Sequence, residues 1–305
     1  MPLSVVSADI TQLKVDAVAN AANGALAPGG GVCGAIFRGA GPKLIKACAR
    51  LSPLPTGKAA ITYGYDLPAT YVIHAVGPVW RGGASGESAD LRGAYAAALE
   101  LAVDHDCRSV AFPLISAGIY GYPKDLAFHE AVAAIGAFLR AAREIDVILS
   151  VFPKAPLGLT PELKKEIAAF GETAAASLRA NGPAPLDGAP PKSFKEILIG
   201  HARARDLAPE ALARRANLLE SAVRETLESE EGSPPPAKER LISLCLGLEL
   251  NLRESLALLA AAGYLWDWGR TRERIVAYFL ANGPRDVFGA DEALYASGEE
   301  FLPVA

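Results

Sequence analysis

The first half of the chain alternates short apolar runs with longer, alanine-rich amphipathic stretches. Apolar runs of this length predict buried strands, and a 3.6-residue periodicity predicts the helices that cover them. The predicted strands are Leu3–Ser7, Ala17–Ala19, Ala59–Tyr63, Tyr71–Ala75, Ser109–Phe112 and Val147–Val151. The predicted helices are Gly34–Arg50, Ser88–Asp104 and Lys124–Arg143. This alternation predicts an α/β domain with helices on both faces of a mostly parallel sheet.

The second half of the chain carries helical periodicity throughout. A helix over Thr160–Ala180 opens with a Thr-Pro-Glu start signal, and a linker rich in Pro and Gly follows it. A leucine stripe over 241–259 and short breaks between the later helices predict an all-α helical bundle. We therefore predict a first domain over residues 1–180, a linker over 181–192 and a helical domain over 193–305.

Composition and charge agree with two folded domains. With 305 residues, 51% of them apolar and 21% charged, the chain is long and apolar enough to build two cores. The net charge is −4. There are 13 basic and 12 acidic residues up to position 156, and 17 and 22 after it. Neither half has the excess of Lys and Arg that is typical of a strong nucleic-acid binder, so the charge disfavours nucleic acid as a partner.

Cysteine usage and the N-terminal sequence predict a cytoplasmic protein. The four cysteines show neither disulfide nor paired-ligand spacing, which favours a reducing compartment and argues against a metal site. The N-terminus lacks the basic and apolar regions of a signal peptide, and no segment has the roughly 20 apolar residues that span a bilayer. We expect no membrane partner, no metal and no cofactor.

Two glycine-rich loops follow predicted strands of the sheet. Asn20-Ala-Ala-Asn23 and Gly29–Gly31 precede the first long helix, and Ser116–Pro123 follows the strand that ends at Phe112. Ligands of parallel sheets bind beyond the carboxyl ends of the strands, so we expect both loops at one edge. Bare backbone N–H groups and a helix N-terminus suit phosphates, and carboxamides suit ribose hydroxyls. The pattern predicts a site for a sugar diphosphate.

Six sequence blocks occur in one order in the first half of the chain. They are Ser7-Ala-Asp9-Ile-Thr11, Asn20-Ala-Ala-Asn23, Gly29–Ile36, Thr56-Gly-Lys-Ala59, Tyr71–Trp80 and Ile115–Pro123. Their order and wording resemble macrodomains of the MacroD type. The resemblance implies a three-layer α/β/α domain with a mixed sheet that binds ADP-ribose, the terminal group of ADP-ribosylated macromolecules. It also implies hydrolysis of mono-ADP-ribosylated Asp or Glu, or of O-acetyl-ADP-ribose.

The resemblance assigns roles to individual residues of this chain. Asp9 is expected to accept a hydrogen bond from the adenine amino group, with the Ile10 amide beside it, and Phe152 to line the adenine pocket. Asn20 is expected to brace the first loop within the binding site, and Asn23 to hold the distal ribose and take part in catalysis. Tyr120 is also expected to pack near the distal ribose. The amides expected around the phosphates belong to Gly30, Gly31, Val32, Ser116, Ala117, Gly118, Ile119 and Tyr120.

The first loop departs from the family pattern at two positions. Where the family has Gly-Val-Asp-Gly-Ala-Ile-His, this chain has Gly31-Val-Cys33-Gly-Ala-Ile-Phe37. The Asp of the family helps to activate water, whereas a neutral thiol is a poor base for that step. Three roles for Cys33 stay open: a catalytic group, a lining residue while a substrate phosphate oxygen activates the water, and the mark of a non-catalytic ADP-ribose reader.

Each of these residues also has a purely structural interpretation. Asp9 is suited to cap a helix or turn, and Asn20 and Asn23 to form turns. Cys33 is suited to fill a core as a small apolar residue. His74 lies in an apolar strand, where we expect a hydrogen-bonded core histidine rather than a catalyst.

Residues 236–264 resemble a helical module, distantly like repressor-type helix-turn-helix domains, that is attached to bacterial macrodomains. Arg214, Arg215 and Arg224 are candidates for a helix that contacts DNA. Five glutamates surround them in the sequence: Glu220, Glu225, Glu228, Glu230 and Glu231. The charge balance therefore favours a structural or protein-contact bundle. An ADP-ribose sensor linked to DNA stays the alternative.

Overall fold

The computed structural model describes residues 3–141, 145–151, 161–181, 193–230, 233–282 and 287–302. The chain forms two compact units, residues 1–157 and 158–305. This division lies ahead of the predicted boundary at 180, because the helix over 161–181 packs against a helix of the second unit. Within these described ranges, no helix combines the length and the hydropathy that crossing a bilayer requires.

A mixed sheet forms the centre of the first unit, as predicted. Its strands are β1 (Leu3–Val6), β2 (Ala17–Ala22), β3 (Ala59–Tyr63), β4 (Tyr71–Val76), β5 (Ser109–Pro113) and β6 (Asp146–Ser150). The order across the sheet is β1-β6-β5-β2-β4-β3. Only β3 runs antiparallel to its neighbour among the described strand pairs. The other five strands therefore end at the same edge of the sheet.

Helices cover the sheet on both faces, which confirms the α/β class. They are α1 (Gly31–Ala40), α2 (Pro42–Cys48), α3 (Glu87–Asp104) and α4 (Lys124–Arg140). Side chains of α1 and α2 pack with Val18 and Val72 in one buried cluster. Successive strand residues point to opposite faces, and α3 contacts β3, β4, β5 and α4. The core thus fills both sides of the sheet.

The predicted helix Gly34–Arg50 is wrong in its bounds. It begins earlier, at Gly31, and it is broken between α1 and α2 at Gly41, whose φ is +78°. A left-handed glycine ends the first helix, and Pro42 starts the second, where its missing N–H costs nothing. As a consequence, Cys33 lies in the first turn of α1 rather than in the loop before it.

The strand β2 extends through Ala22, beyond the predicted end at Ala19. Asn20 is therefore a strand residue, and its interpretation as a turn former is wrong. Asn23 directly follows the strand and starts the turn that leads to α1.

The described part of the second unit is helical, as predicted. Its helices are α5 (Pro161–Asn181), α6 (Phe194–Ala204), α7 (Pro209–Ala216), α8 (Glu220–Glu228), α9 (Lys238–Gly247), α10 (Leu252–Ala261), α11 (Thr271–Asn282) and α12 (Val287–Ala296). Leu241, Leu244 and Leu259 are buried in its core. The prediction missed α12, because most positions of this helix are apolar and its periodicity is weak. The predicted linker lies outside the described residues from position 182 onward.

Candidate functional site

A cavity of about 690 Å³ opens at the edge where the parallel strands end. Such a volume is typical of sites for small molecules. The segments that follow β1, β2, β4, β5 and β6 form its wall, as expected for a parallel sheet. The lining residues are 8–10, 21–23, 29–33, 113–120 and 150–151, together with Ala35, Gly77 and Lys124.

The first loop, residues 23–31, joins β2 to α1 and forms one side of the cavity. The Asn23 side chain closes its turn, because Nδ2 donates to the Ala27 oxygen at 2.8 Å and Oδ1 accepts from the Ala27 N–H at 3.1 Å. Gly34 lies against this loop, and a Cβ there would be 2.5 Å from the Gly29 oxygen. Gly34 N–H bonds to the Gly30 oxygen at 3.2 Å. The preceding amides have no partner within a helix, so they are available at the cavity.

The second loop, residues 116–122, follows β5, and its residues 116–120 also line the cavity. Ser116 has a φ of +66°, which is unusual for a residue other than glycine. Its hydroxyl is buried and has no hydrogen-bond partner in the part of the chain that the structure describes. Gly77 admits this residue, since a Cβ on Gly77 would lie 2.2 Å from the Ser116 Oγ. The structure thus brings the predicted segment Ser116–Tyr120 to the cavity wall.

Asp9 caps a short helix, as its structural interpretation predicted, and it also lies at the cavity. Its Oδ1 accepts from the Thr11 N–H at 2.9 Å and from the Thr11 hydroxyl at 2.8 Å, which caps a short 3₁₀ helix. Asp9 also lines the cavity beside Ile10. Because a carboxylate has two oxygens, one carboxylate is able to cap the helix and bind a donor of the ligand.

Cys33 likewise combines a structural and a cavity position. It is 6% exposed and belongs to the buried cluster below α1, yet it lines the cavity. Its Sγ lies 3.8 Å from the Ala27 oxygen, on the same turn that Asn23 closes.

Cys48 is a second buried cysteine of the same cluster. Burial, together with nearby Cys33, raises the pKa of the Cys48 thiol to about 11. The thiol of Cys48 therefore stays protonated at neutral pH.

Asn20 does not line the cavity, which is a correction to its assignment as a ligand-binding residue. Its side chain is fully buried, and Nδ2 lies 3.1 Å from Nδ1 of His74. The other ring nitrogen of His74 lies 3.0 Å from the Thr62 hydroxyl and 3.5 Å from Cys48 Sγ. Burial lowers the pKa of His74 to about 4, so the ring is neutral. The expectation of a hydrogen-bonded core histidine is confirmed.

Lys124 lines the cavity and was missed from the sequence. It is exposed at the start of α4, directly after the second loop. Among the described lining residues, Lys124 carries the positive charge and Asp9 the negative one. The signal that points to Lys124 is its position, since it follows a glycine-rich loop directly and stands at the start of a helix.

Phe152 lies outside the described residues. No group of three or more His, Cys, Asp or Glu in the described part of the chain has the arrangement of a metal site.

The first half of the chain is similar to known proteins. The family model of the Macro domain matches residues 19–131. Macro domain-containing protein CT2219 of Chlorobaculum tepidum is 52% identical over 147 residues, which are 48% of this chain and 86% of that protein. An O-acetyl-ADP-ribose deacetylase of Klebsiella pneumoniae is 48% identical over 151 residues, with 48% and 86% covered. The ADP-ribose glycohydrolase MACROD2 of Xenopus laevis is 49% identical over 153 residues, with 49% and 37% covered.

Proposed function

Because the chain belongs to the macrodomain family, we propose that its first unit binds ADP-ribose and hydrolyses ADP-ribosyl esters. The substrates are macromolecules mono-ADP-ribosylated on Asp or Glu, or O-acetyl-ADP-ribose. The observation that carries the proposal is the cavity between two backbone-rich loops at the strand ends. The names of the similar deacetylase and glycohydrolase support the same chemistry.

The cavity offers a suitable group for each part of ADP-ribose. Asp9 and Ile10 follow the edge strand β1 and line the cavity there, where they suit adenine. Gly30–Val32 and Ser116–Tyr120 both line the cavity, and backbone amides of such loops suit the diphosphate. Asn23 follows β2 and suits the distal ribose. Lys124, at the cavity directly after the second loop, adds a positive charge that suits the diphosphate.

Hydrolysis requires a water molecule to attack the ester carbonyl carbon. The bond between that carbon and the ribose oxygen then breaks, one proton of the water passes to the ribose oxygen, and the acid leaves as a carboxylate and a proton. Cys33 is a weak base for this step. We therefore propose that a phosphate oxygen of the substrate takes the proton from the attacking water before it passes to the ribose oxygen. Asn23 and the loop amides position the water and the ester.

The alternative is an ADP-ribose reader that binds without turnover. The thiol of Cys33 at the cavity is the observation that favours it, because a thiol replaces the carboxylate that the MacroD pattern places there. In this case Cys33 acts only as a small buried residue, in keeping with its low exposure.

The test is incubation of the full chain with O-acetyl-ADP-ribose and with protein carrying Glu-linked ADP-ribose, with release of ADP-ribose measured by chromatography. We expect release, and we expect Asn23→Ala to slow it about 100-fold, the usual cost of losing one positioned donor. Asn282→Ala, in the second unit, is the matched control and keeps the wild-type rate. Cys33→Ala also keeps it if a phosphate oxygen activates the water. Binding of ADP-ribose without release establishes the reader instead.

We also propose that the protein acts in the cytoplasm of a bacterium on ADP-ribosylated macromolecules. All four cysteines are buried and free, in keeping with a reducing compartment. Modified macromolecules fit a cavity that is open to solvent at the Ile119 side, since this residue is 80% exposed at its edge.

A further inference from the structure

A tight turn over residues 81–86 is fixed by one buried carboxylate. Glu87, which is 2% exposed, begins α3 directly after this turn. Its Oε1 accepts from the N–H of Arg81 at 3.0 Å and of Gly83 at 3.2 Å. Its Oε2 accepts from the N–H of Ser85 at 2.6 Å. Hydrogen bonds from backbone amides hold the pKa of Glu87 below its ordinary value, so the carboxylate is ionised at neutral pH.

The fixed turn holds the indole ring of Trp80. Gly83 lies directly against the ring, and a Cβ there would be 2.9 Å from Cη2 of Trp80. The ring also packs on Tyr122, with centroids 4.5 Å apart. The backbone N–H of Trp80 donates to the Tyr120 oxygen at 2.9 Å. Trp80 therefore contacts the far half of the second loop through both its ring and its backbone.

The near half of the second loop has a separate anchor on α3. The buried hydroxyl of Tyr95 donates to the Pro113 oxygen and accepts from the Ile115 N–H, both at 3.0 Å. Between these two anchors, the Tyr122 N–H bonds to the Ser116 oxygen at 3.1 Å and closes the loop. The conformation of the loop thus depends on contacts at both of its ends.

We propose that Glu87 and Trp80 are positioning residues for the ligand of the cavity. Neither residue lines the cavity, so both act through the second loop. Glu87 fixes the turn, the turn holds Trp80, and Trp80 keeps the loop in the conformation in which its amides face the diphosphate. The identity of the ligand, ADP-ribose, rests on the proposed function, whereas the control of the loop by Glu87 does not.

The loop conformation is tested without ligand, by amide hydrogen exchange of the full chain. In Glu87→Ala we expect the peptide over residues 116–122 to exchange at least about tenfold faster, because its far anchor is lost. Asp90→Ala is the matched control, since it removes an exposed carboxylate from the same turn of α3. It should leave exchange unchanged, as should a peptide over β1 in both variants. Equal exchange of 116–122 in Glu87→Ala and wild type overturns the proposal.

Binding tests the consequence for the site, by calorimetry with ADP-ribose and with AMP. AMP lacks the second phosphate and the distal ribose. We expect Glu87→Ala and Trp80→Ala to raise the Kd for ADP-ribose about tenfold and the Kd for AMP less than twofold. In these variants the loop is ordered only when the ligand binds, and the free-energy cost of ordering it weakens binding. Trp80→Phe keeps a ring against Tyr122 and should restore most of the affinity.

The remaining outcomes are also decisive. An equal loss for both ligands indicates a general structural role and overturns the proposal. A wild-type chain that binds neither ligand contradicts the proposed function, and the exchange measurement then decides the loop proposal alone. If Glu87→Ala does not fold, Glu87→Gln replaces it, since it keeps the shape and one acceptor oxygen, and it should show a smaller change in the same direction.

Discussion

The two units of this protein satisfy their polar groups in different ways. Around the cavity of the first unit, the polar groups are mainly backbone amides of two glycine-rich loops, and the side chains of Asn20 and His74 below them are buried and neutral. In the second unit, ionised side chains pair with each other: Arg224 with Glu210, Glu220 and Glu228, Lys238 with Glu273, and Arg240 with Glu225. Charged side chains that neutralise each other offer little net charge to a ligand, whereas the two glycine-rich loops line the cavity with backbone groups. This difference explains why a ligand site is expected in the first unit.

The largest expected effect concerns the buried, neutral His74. Burial lowers its pKa from 6.5 to about 4, so between these values the unfolded chain binds a proton that the folded chain does not. The contribution of neutral His74 to the free energy of unfolding of the first unit is therefore fully present above about pH 6.5. It is lost as the pH decreases to 4, which lowers that free energy by on the order of 3 kcal/mol. Urea unfolding followed by Trp80 fluorescence, with Trp266 and Trp268 changed to Phe, measures this dependence.

His74→Gln should remove most of this pH dependence, whatever it does to the stability itself. His105→Gln is the control, because His105 is exposed and lies outside the buried network. A His74→Gln chain that keeps the wild-type slope between pH 4 and 6.5 contradicts the assignment of a buried, neutral ring.

The next effect concerns the close packing of the first loop on α1. Gly34→Ala places a Cβ against the Gly29 oxygen, and relief of such a contact costs roughly 1–3 kcal/mol. We therefore expect a Kd for ADP-ribose about 30-fold higher, because the loop amides shift. Gly200→Ala has open space in the second unit and should leave the Kd unchanged in the same calorimetric titration. Unaltered affinity in Gly34→Ala would mean that the loop does not hold the ligand.

A smaller effect is expected from the positive charge at the cavity. Lys124→Gln should raise the Kd for ADP-ribose about fivefold and reduce its dependence on salt, because one charge-assisted contact to the diphosphate is lost. Lys58→Gln removes an exposed lysine that does not line the cavity and serves as the control. If both variants show the same salt dependence as wild type, Lys124 does not contact the phosphates.

We expect that the second unit does not bind DNA. Helices α7 and α8 are joined by a short turn at Asn217, whose φ is +54°, and such a geometry is compatible with a helix-turn-helix motif. However, Arg224 on α8 is already engaged by three glutamates. A gel-shift titration of duplex DNA with the full chain at low salt should show no complex. A salt-dependent shift would contradict this expectation and support the alternative of an ADP-ribose sensor linked to DNA.

Local patterns predicted the sheet well, because the polarity of the chain changes where the strands end, as it does at Ala59 and Tyr63. They could not reveal that Asn20 is buried, since its partner His74 is 54 residues away in the sequence. They also placed the helix 160–180 in the first domain, because its packing on α11 depends on a distant segment. Lys124 was missed for a similar reason, since a lysine at a cavity edge leaves no periodic signal.

The most direct test of the proposed ligand site is a calorimetric titration of the full chain with ADP-ribose. We predict saturable binding of one ligand per chain, with a lower Kd than for AMP because the two loops also hold the second phosphate and the distal ribose. The absence of binding, or equal affinity for ADP-ribose and AMP, would contradict the claim that the amides of both loops form the site.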